Sequence, residues 1–239
     1  MRALAIAQRE TASMFRLPVG WVVIALYLFL AAVVFVVGTF RPGSAATLRD
    51  FFSLSQWLLV PIAPAISMRL ISEEIRTGSI EPLMTSPASE ASIIVGKFLG
   101  ALAYLVAMLA PTLAFPVLLW MHAEPAPDIG PIASGYLALL LLGCTFLSLG
   151  LVASAVTSSQ TLAFLATLFV LIGWVMLPTL AIPGLPGWAA EAIASVAVGP
   201  RVGELAKGVI DARAVAFFIA ATLVFLAAAW SALRLRRWA

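Results

Sequence analysis

The chain has 239 residues, of which 63 % are hydrophobic and only 10 % charged, and its mean hydropathy is +1.09. Soluble domains carry about 25 % charged residues, so this composition excludes a water-solvated globule and points to an integral membrane protein. A net charge of +3 would suit nucleic acid in a soluble chain, but here the basic residues flank oily segments, as the positive-inside bias requires, and no nucleic-acid partner is expected.

In chain order, the first element is expected over residues 2–16. Arg2, Arg9 and Arg16 recur every seven residues and share one helical face, with Leu4, Ala7, Thr11 and Phe15 near the opposite one. That pattern predicts a helix in the membrane interface with its arginines toward headgroups. Six apolar runs follow, over 18–40, 51–68, 93–122, 131–157, 162–182 and 215–233, each near the roughly 20 residues that a transmembrane helix needs. The first run is too long for the apolar region of a signal peptide.

Within the third run, Pro111 and Pro116 predict a kink. Gly96 and Gly100 form a small-xxx-small pair that permits close helix contact, and Lys97 is placed to snorkel toward headgroups. The lone cysteine, Cys144, lies in the fourth run and is expected to pack as a small hydrophobe. The stretch 183–211 breaks the fifth run with two Pro-Gly steps. Residues 188–198 are apolar but too few to cross a bilayer, which predicts a helix dipping into the outer leaflet. That makes 184–210 a re-entrant segment bordering an outer gate.

Between the second and third runs lies the densest charge in the chain, RLISEEIRTGSIEPLMTSP, residues 69–87. Gly78 is expected to end the helix leaving the second span, and Ser79 to cap a short helix over 80–85 with Pro82 in its first turn. Ser86 is expected to cap the next helix, with Pro87 at its first position. Ile80, Leu83 and Met84 would be the apolar knobs of a helix lying across the ends of two spans, a shape suited to docking another protein.

Lys and Arg divide nine against five between the two sets of loops, so the richer set faces the cytoplasm and an even number of spans puts both termini there. No acidic residue lies deep in a span, and the only histidine, His122, is at a span end remote from Ser148 and Ser154. Hence neither a catalytic site nor a metal site is expected. The absence of intramembrane ionisable residues argues against ion-coupled transport, and no P-loop surrounds Gly96-Lys97. Energy for uphill transport would have to come from a partner.

The stretch SEEIRTGSIEPLMTSPASEASIIVGKFLGA resembles the central motif of ABC-2 type exporter permeases. FFSLSQWLLVPIAPAISMR and GVIDARAVAFFIA resemble spans of the gliding-motility-associated, GldF-like branch; Pro82 departs from the aliphatic residue of the pattern. The resemblance implies an all-α polytopic membrane protein of one domain, residues 1–239, in the bacterial cytoplasmic (inner) membrane. It implies six transmembrane helices, an N-terminal interfacial helix over 2–16, a cytoplasmic coupling helix over 79–85 and the re-entrant segment before the last span. It implies a non-catalytic half of a transporter paired with a second copy, or with a paralogous membrane subunit bearing a large outer domain. A separate ABC ATPase subunit would bind the ATP and Mg; the chain itself would hold no cofactor. Glu73, Glu74, Gly78, Ile80, Glu81 and Leu83 are the ATPase-docking residues it implies. Two other readings are a secondary carrier or channel, working without an ATPase, and a membrane scaffold or assembly factor with no substrate.

Overall fold

The computed structural model describes residues 2–39, 47–79, 89–124, 126–180 and 186–236. Helix α1, Arg2–Arg16, is joined by a one-residue elbow to α2, Pro18–Val34, which continues as a π-helical turn to Thr39. Next come α3, Arg49–Ser67, and the short α4, Ser72–Thr77. Helix α5, Glu90–Leu109, passes through a 3₁₀ turn into α6, Ala114–His122. Then follow α7, Ile129–Val156; α8, Gln160–Met176; α9, Gly187–Val196; α10, Gly199–Leu205; and α11, Ala212–Arg236. The described residues are helices and their connections, without a strand, as expected where each backbone polar group must find its partner inside its own segment.

Among the described residues, five helical stretches are long and apolar enough to cross a membrane: Pro18–Thr39, Arg49–Thr77, Glu90–His122, Ile129–Val156 and Ala212–Leu235. The fifth expected span, 162–182, appears as the 17-residue α8 followed by a 3₁₀ turn, and α8 alone is shorter than those five. Pro178 falls there, with no N–H to return to the Trp174 carbonyl, and the last turn, Leu177–Leu180, is 3₁₀.

Helix α7 is the centre of the bundle. It packs against α3, α5, α8, α10 and α11, and its buried residues include Leu142, Gly143, Thr145, Phe146, Leu147 and Ser148, with Cys144 between them half-buried, so no face there is left for solvent. Close approach is made by small residues. A Cβ on Gly150 would lie 1.9 Å from Ser67 Oγ, and one on Gly135 would lie 2.1 Å from the Phe52 ring. These two contacts advance together along both chains, so α3 and α7 run parallel. Leu105 fills the space over Gly143 from the antiparallel α5.

The kink expected at Pro111 and Pro116 is the 3₁₀ turn Ala110–Leu113. Pro116 returns no N–H to the Thr112 carbonyl, and Tyr136 Oη of α7 donates to that oxygen at 2.7 Å. Thr145 donates to the Phe218 carbonyl of α11 at 3.3 Å and meets the Thr222 hydroxyl at 3.2 Å, so a hydroxyl seam joins α7 to α11.

The segment before the last span is two helices rather than one. Helix α9 has no buried residue, and Trp188 is 75 % exposed. Helix α10 turns inward instead, burying Val198, Val202, Leu205 and Ala206 against α3 and α7. Trp174 of α8 donates to the Val196 carbonyl at 2.8 Å, and the Arg201 guanidinium sits 3.9 Å above the Phe217 ring.

Candidate functional site

The site is at the end of the bundle where α1, α4 and the start of α5 meet. The stretch Glu90–His122 is 33 residues long, about 50 Å at 1.5 Å per residue against a hydrocarbon core of about 30 Å. The stretch is therefore longer than the apolar layer is thick, and α1 lies lengthwise against the first turns of α5. Gly96 faces Ala3 and Ile6, and Gly100 faces Ala7 and Glu10. Thr11 donates to the Gly100 carbonyl at 3.2 Å. The small-xxx-small pair is thus the seat of α1.

This keeps the arginine-free face of α1 inward, as expected, apart from Leu4. Ala7 and Met14 form its buried edge, with Ile6, Glu10 and Thr11 half-buried, while Leu4 is 62 % exposed. The two glycines leave room for the Ala3 and Ala7 carbonyls and for the Ile6 and Glu10 side chains of α1. Arg9 and Arg16 remain exposed.

Lys97 does not snorkel outward. Its side chain is 2 % exposed, and Nζ bonds Glu74 Oε1 at 2.8 Å and Glu10 Oε2 at 3.4 Å. Two half-enclosed carboxylates, 15 % and 13 % exposed, outcompete headgroups that the fully buried stem cannot reach. Arg9 adds a longer contact to Glu74 at 3.7 Å from an exposed position. Three segments far apart in sequence are joined here: α1 through Glu10, α4 through Glu74, and α5 through Lys97. The warning in the sequence was a lysine inside an oily run; its partners could not be read because they lie 87 and 23 residues away.

Helix α4 is held by a second device. After Ser67 the chain makes a turn before α4 begins, so it does not leave the second span as one continuous helix. Ser154 of α7 fills that break: its Oγ accepts from the amides of Ile71 and Ser72 at 3.0 Å each and donates to the Met68 carbonyl at 3.0 Å. Those amides belong to the helix start, where backbone donors lack intrahelical partners. Ser154→Ala should therefore destabilise the protein by about 1–3 kcal/mol, the cost of leaving buried donors unmade. Thermal unfolding in detergent measures this, and an unchanged midpoint would dismiss the role. Ser148 donates to the Thr145 carbonyl at 2.8 Å.

Of the sequence-derived docking residues, Glu73 is half-buried on α4 and Glu74 is in the ionic junction. Gly78 ends α4 with φ 72°, as expected. Nothing crowds its missing Cβ, so the left-handed backbone alone explains the glycine. Ser79 meets the Thr77 hydroxyl at 2.9 Å. Ile80, Glu81 and Leu83, and with them the expected helix over 80–85, lie outside the described residues, as do Ser86 and Pro87. Helix α5 begins later than expected: Ser89 is extended, its hydroxyl accepts from the Ser92 amide, and Glu90 is the first helical residue.

The family described as ABC-2 family transporter protein matches residues 4–195, from α1 into α9. The chain belongs to the ABC-2 transporter family. No curated protein matches it by sequence. The match encloses the whole ionic junction and the four long spans before α11, so the ABC-2 permease is a multi-pass membrane component of an ABC transporter. Its junction ties the segment leaving the second span to the segment entering the third, with α1 clamped to both.

Proposed function

We propose that the permease is the membrane half of an ATP-driven exporter of the gliding-motility-associated branch, working in the bacterial cytoplasmic membrane with a second membrane subunit. The observation that carries this reading is the anchoring of α4. A six-residue helix with little core of its own is fixed to the bundle by Glu74–Lys97 and by Ser154, and residues 79–88 emerge from it. A partner pressing on that stretch would move α4, and through Lys97 it would move α5 and α1 together. Glu73, Glu74, Gly78, Ile80, Glu81 and Leu83 form the docking set for a cytoplasmic ABC ATPase, which supplies ATP and Mg. Within that set Glu74 links the dock to the bundle.

Six spans fit this reading. Helix α8 with its 3₁₀ turn covers 21 residues, 160 to 180, about 33 Å by the rise of each helix type, enough to cross. Both termini are then cytoplasmic, as the nine-to-five division of basic residues favours. Helix α9 is apolar with no buried residue, which suits lipid contact at the outer leaflet and a re-entrant role.

Leu83→Asp tests the dock. Losing a buried anchor typically weakens an interface by about 2 kcal/mol or more, whereas a rim charge mostly alters on-rate. The variant should insert and fold, yet lose co-purification with the ATPase and stimulated ATP turnover; Glu81→Gln should only weaken both. Unchanged association of the Leu83→Asp protein would reject the dock. Substrate transport by the purified permease without an ATPase would favour a carrier or channel instead.

A further inference from the structure

Beyond the docking stretch, a notch opens where the α1–α2 elbow meets the end of α3. It is lined by Met14, Val19, Val23, Ala65 and Ile66, with Arg69 and the buried Tyr104 beside them. The walls are apolar apart from one cation. Arg69 is half-buried, yet it takes part in none of the ion pairs among the described residues, which all involve Lys97 or Arg9. A guanidinium drawn partly out of water without a carboxylate favours an anionic partner from outside the chain.

The setting says what kind of anion. Trp21, which bonds the Phe15 carbonyl, and Tyr104, which donates to the Gly20 carbonyl, sit at the same elbow. Such aromatics with one bonded polar end belong at headgroup level. Val22, Leu26 and Phe29 continue from the elbow along an exposed apolar face of α2, which lies in the hydrocarbon if α2 spans. A free phosphate would leave the valine and methionine walls unused. A phospholipid uses both parts: its phosphate on Arg69, its acyl chain along Val19, Val23 and Ala65.

We propose that this notch binds one phospholipid of the adjoining leaflet, held through its phosphate by Arg69. The reading needs only that the chain spans a membrane, so it stands or falls separately from the ATPase dock.

Native mass spectrometry of the full-length permease, delipidated in detergent and titrated with phosphatidylglycerol, tests the site. The first adduct should appear at low lipid concentration. In Arg69→Gln its affinity should fall about fivefold or more, the change for one arginine at a charged membrane surface. Arg69→Lys should keep most of the affinity, and Arg16→Gln, which removes an exposed arginine at the same end, should leave it unchanged. Val23→Trp, which fills the apolar wall and keeps the charge, should also lose the adduct. Equal losses in Arg16→Gln and Arg69→Gln would mean general surface attraction and overturn the proposal, as would full retention in Arg69→Gln. Displacement by millimolar inorganic phosphate regardless of lipid chain would make it a simple anion site and overturn the lipid assignment. Unfolding midpoints near that of the unmodified protein tie each loss to the notch.

Discussion

Lys97→Met should destabilise the permease by about 3–5 kcal/mol, the usual result of removing one partner from a buried ionic group. Glu10 and Glu74 would then face one another with only Arg9 nearby, 74 % exposed and 3.7 Å from one oxygen. Glu74 Oε2 is already buried without a hydrogen-bond partner, so no spare donor stands ready to replace the ammonium. The loss comes from stranded carboxylates rather than from a missing attraction, and it has a distinctive remedy. Adding Glu10→Gln and Glu74→Gln to Lys97→Met should recover most of the stability, because the buried charge is then gone altogether. Thermal and denaturant unfolding in detergent measure both proteins. A single variant within about 1 kcal/mol of the unmodified protein would show that the three charges act separately.

Gly100→Leu should detach α1 while leaving the spans assembled. A Cβ alone would lie 2.7 Å from Glu10 Cβ and 3.0 Å from the Ala7 carbonyl. Both belong to the body of α1 rather than to a side-chain tip, so neither can rotate away. Overpacking of this kind typically costs about 1–3 kcal/mol even for small additions, and a leucine adds three further carbons. The weaker attachment gives way, which is α1, held by one edge. Trypsin cleavage after Arg9 and Arg16 should accelerate about tenfold, the local opening expected from that range. The long spans should stay protected. Gly96→Leu should act in the same way through Ala3 and Ile6. Unchanged cleavage in both variants would mean that α1 is held elsewhere.

Much of the architecture was legible because membrane helices announce themselves by length and hydropathy. The four long spans before α8 and the last one begin or end within a few residues of expectation, and the Pro111 and Pro116 kink was read from the missing N–H groups. Gly78 was read as a helix breaker, and it does end α4. What was not legible depended on pairing across the chain. Lys97 looked like a snorkelling lysine because nothing nearby reveals Glu10. Ser154 stood out in the sequence only as a hydroxyl remote from His122, and its partners are backbone amides more than 80 residues away. For α1, periodicity assigned the side on which Ala7, Thr11 and Phe15 pack, but not that α5 is the neighbour against it. The fifth expected span reflects a different limit: the apolar run continues to Ile182, while the α-helix ends at Met176 and Pro178 falls in the 3₁₀ turn after it.

The Ala110–Leu113 turn gives α5 the mechanics of a lever. From Leu109 back to Lys97 the helix makes 12 residue-to-residue rises, about 18 Å of regular hydrogen-bonded rod. Its fulcrum holds Pro111, with Pro116 just beyond it, and the loosened ladder is braced from outside by Tyr136. A tilt of about 10° at that fulcrum would sweep the Lys97 end by about 3 Å. That is a full hydrogen-bond length at the one place where three segments share a charge.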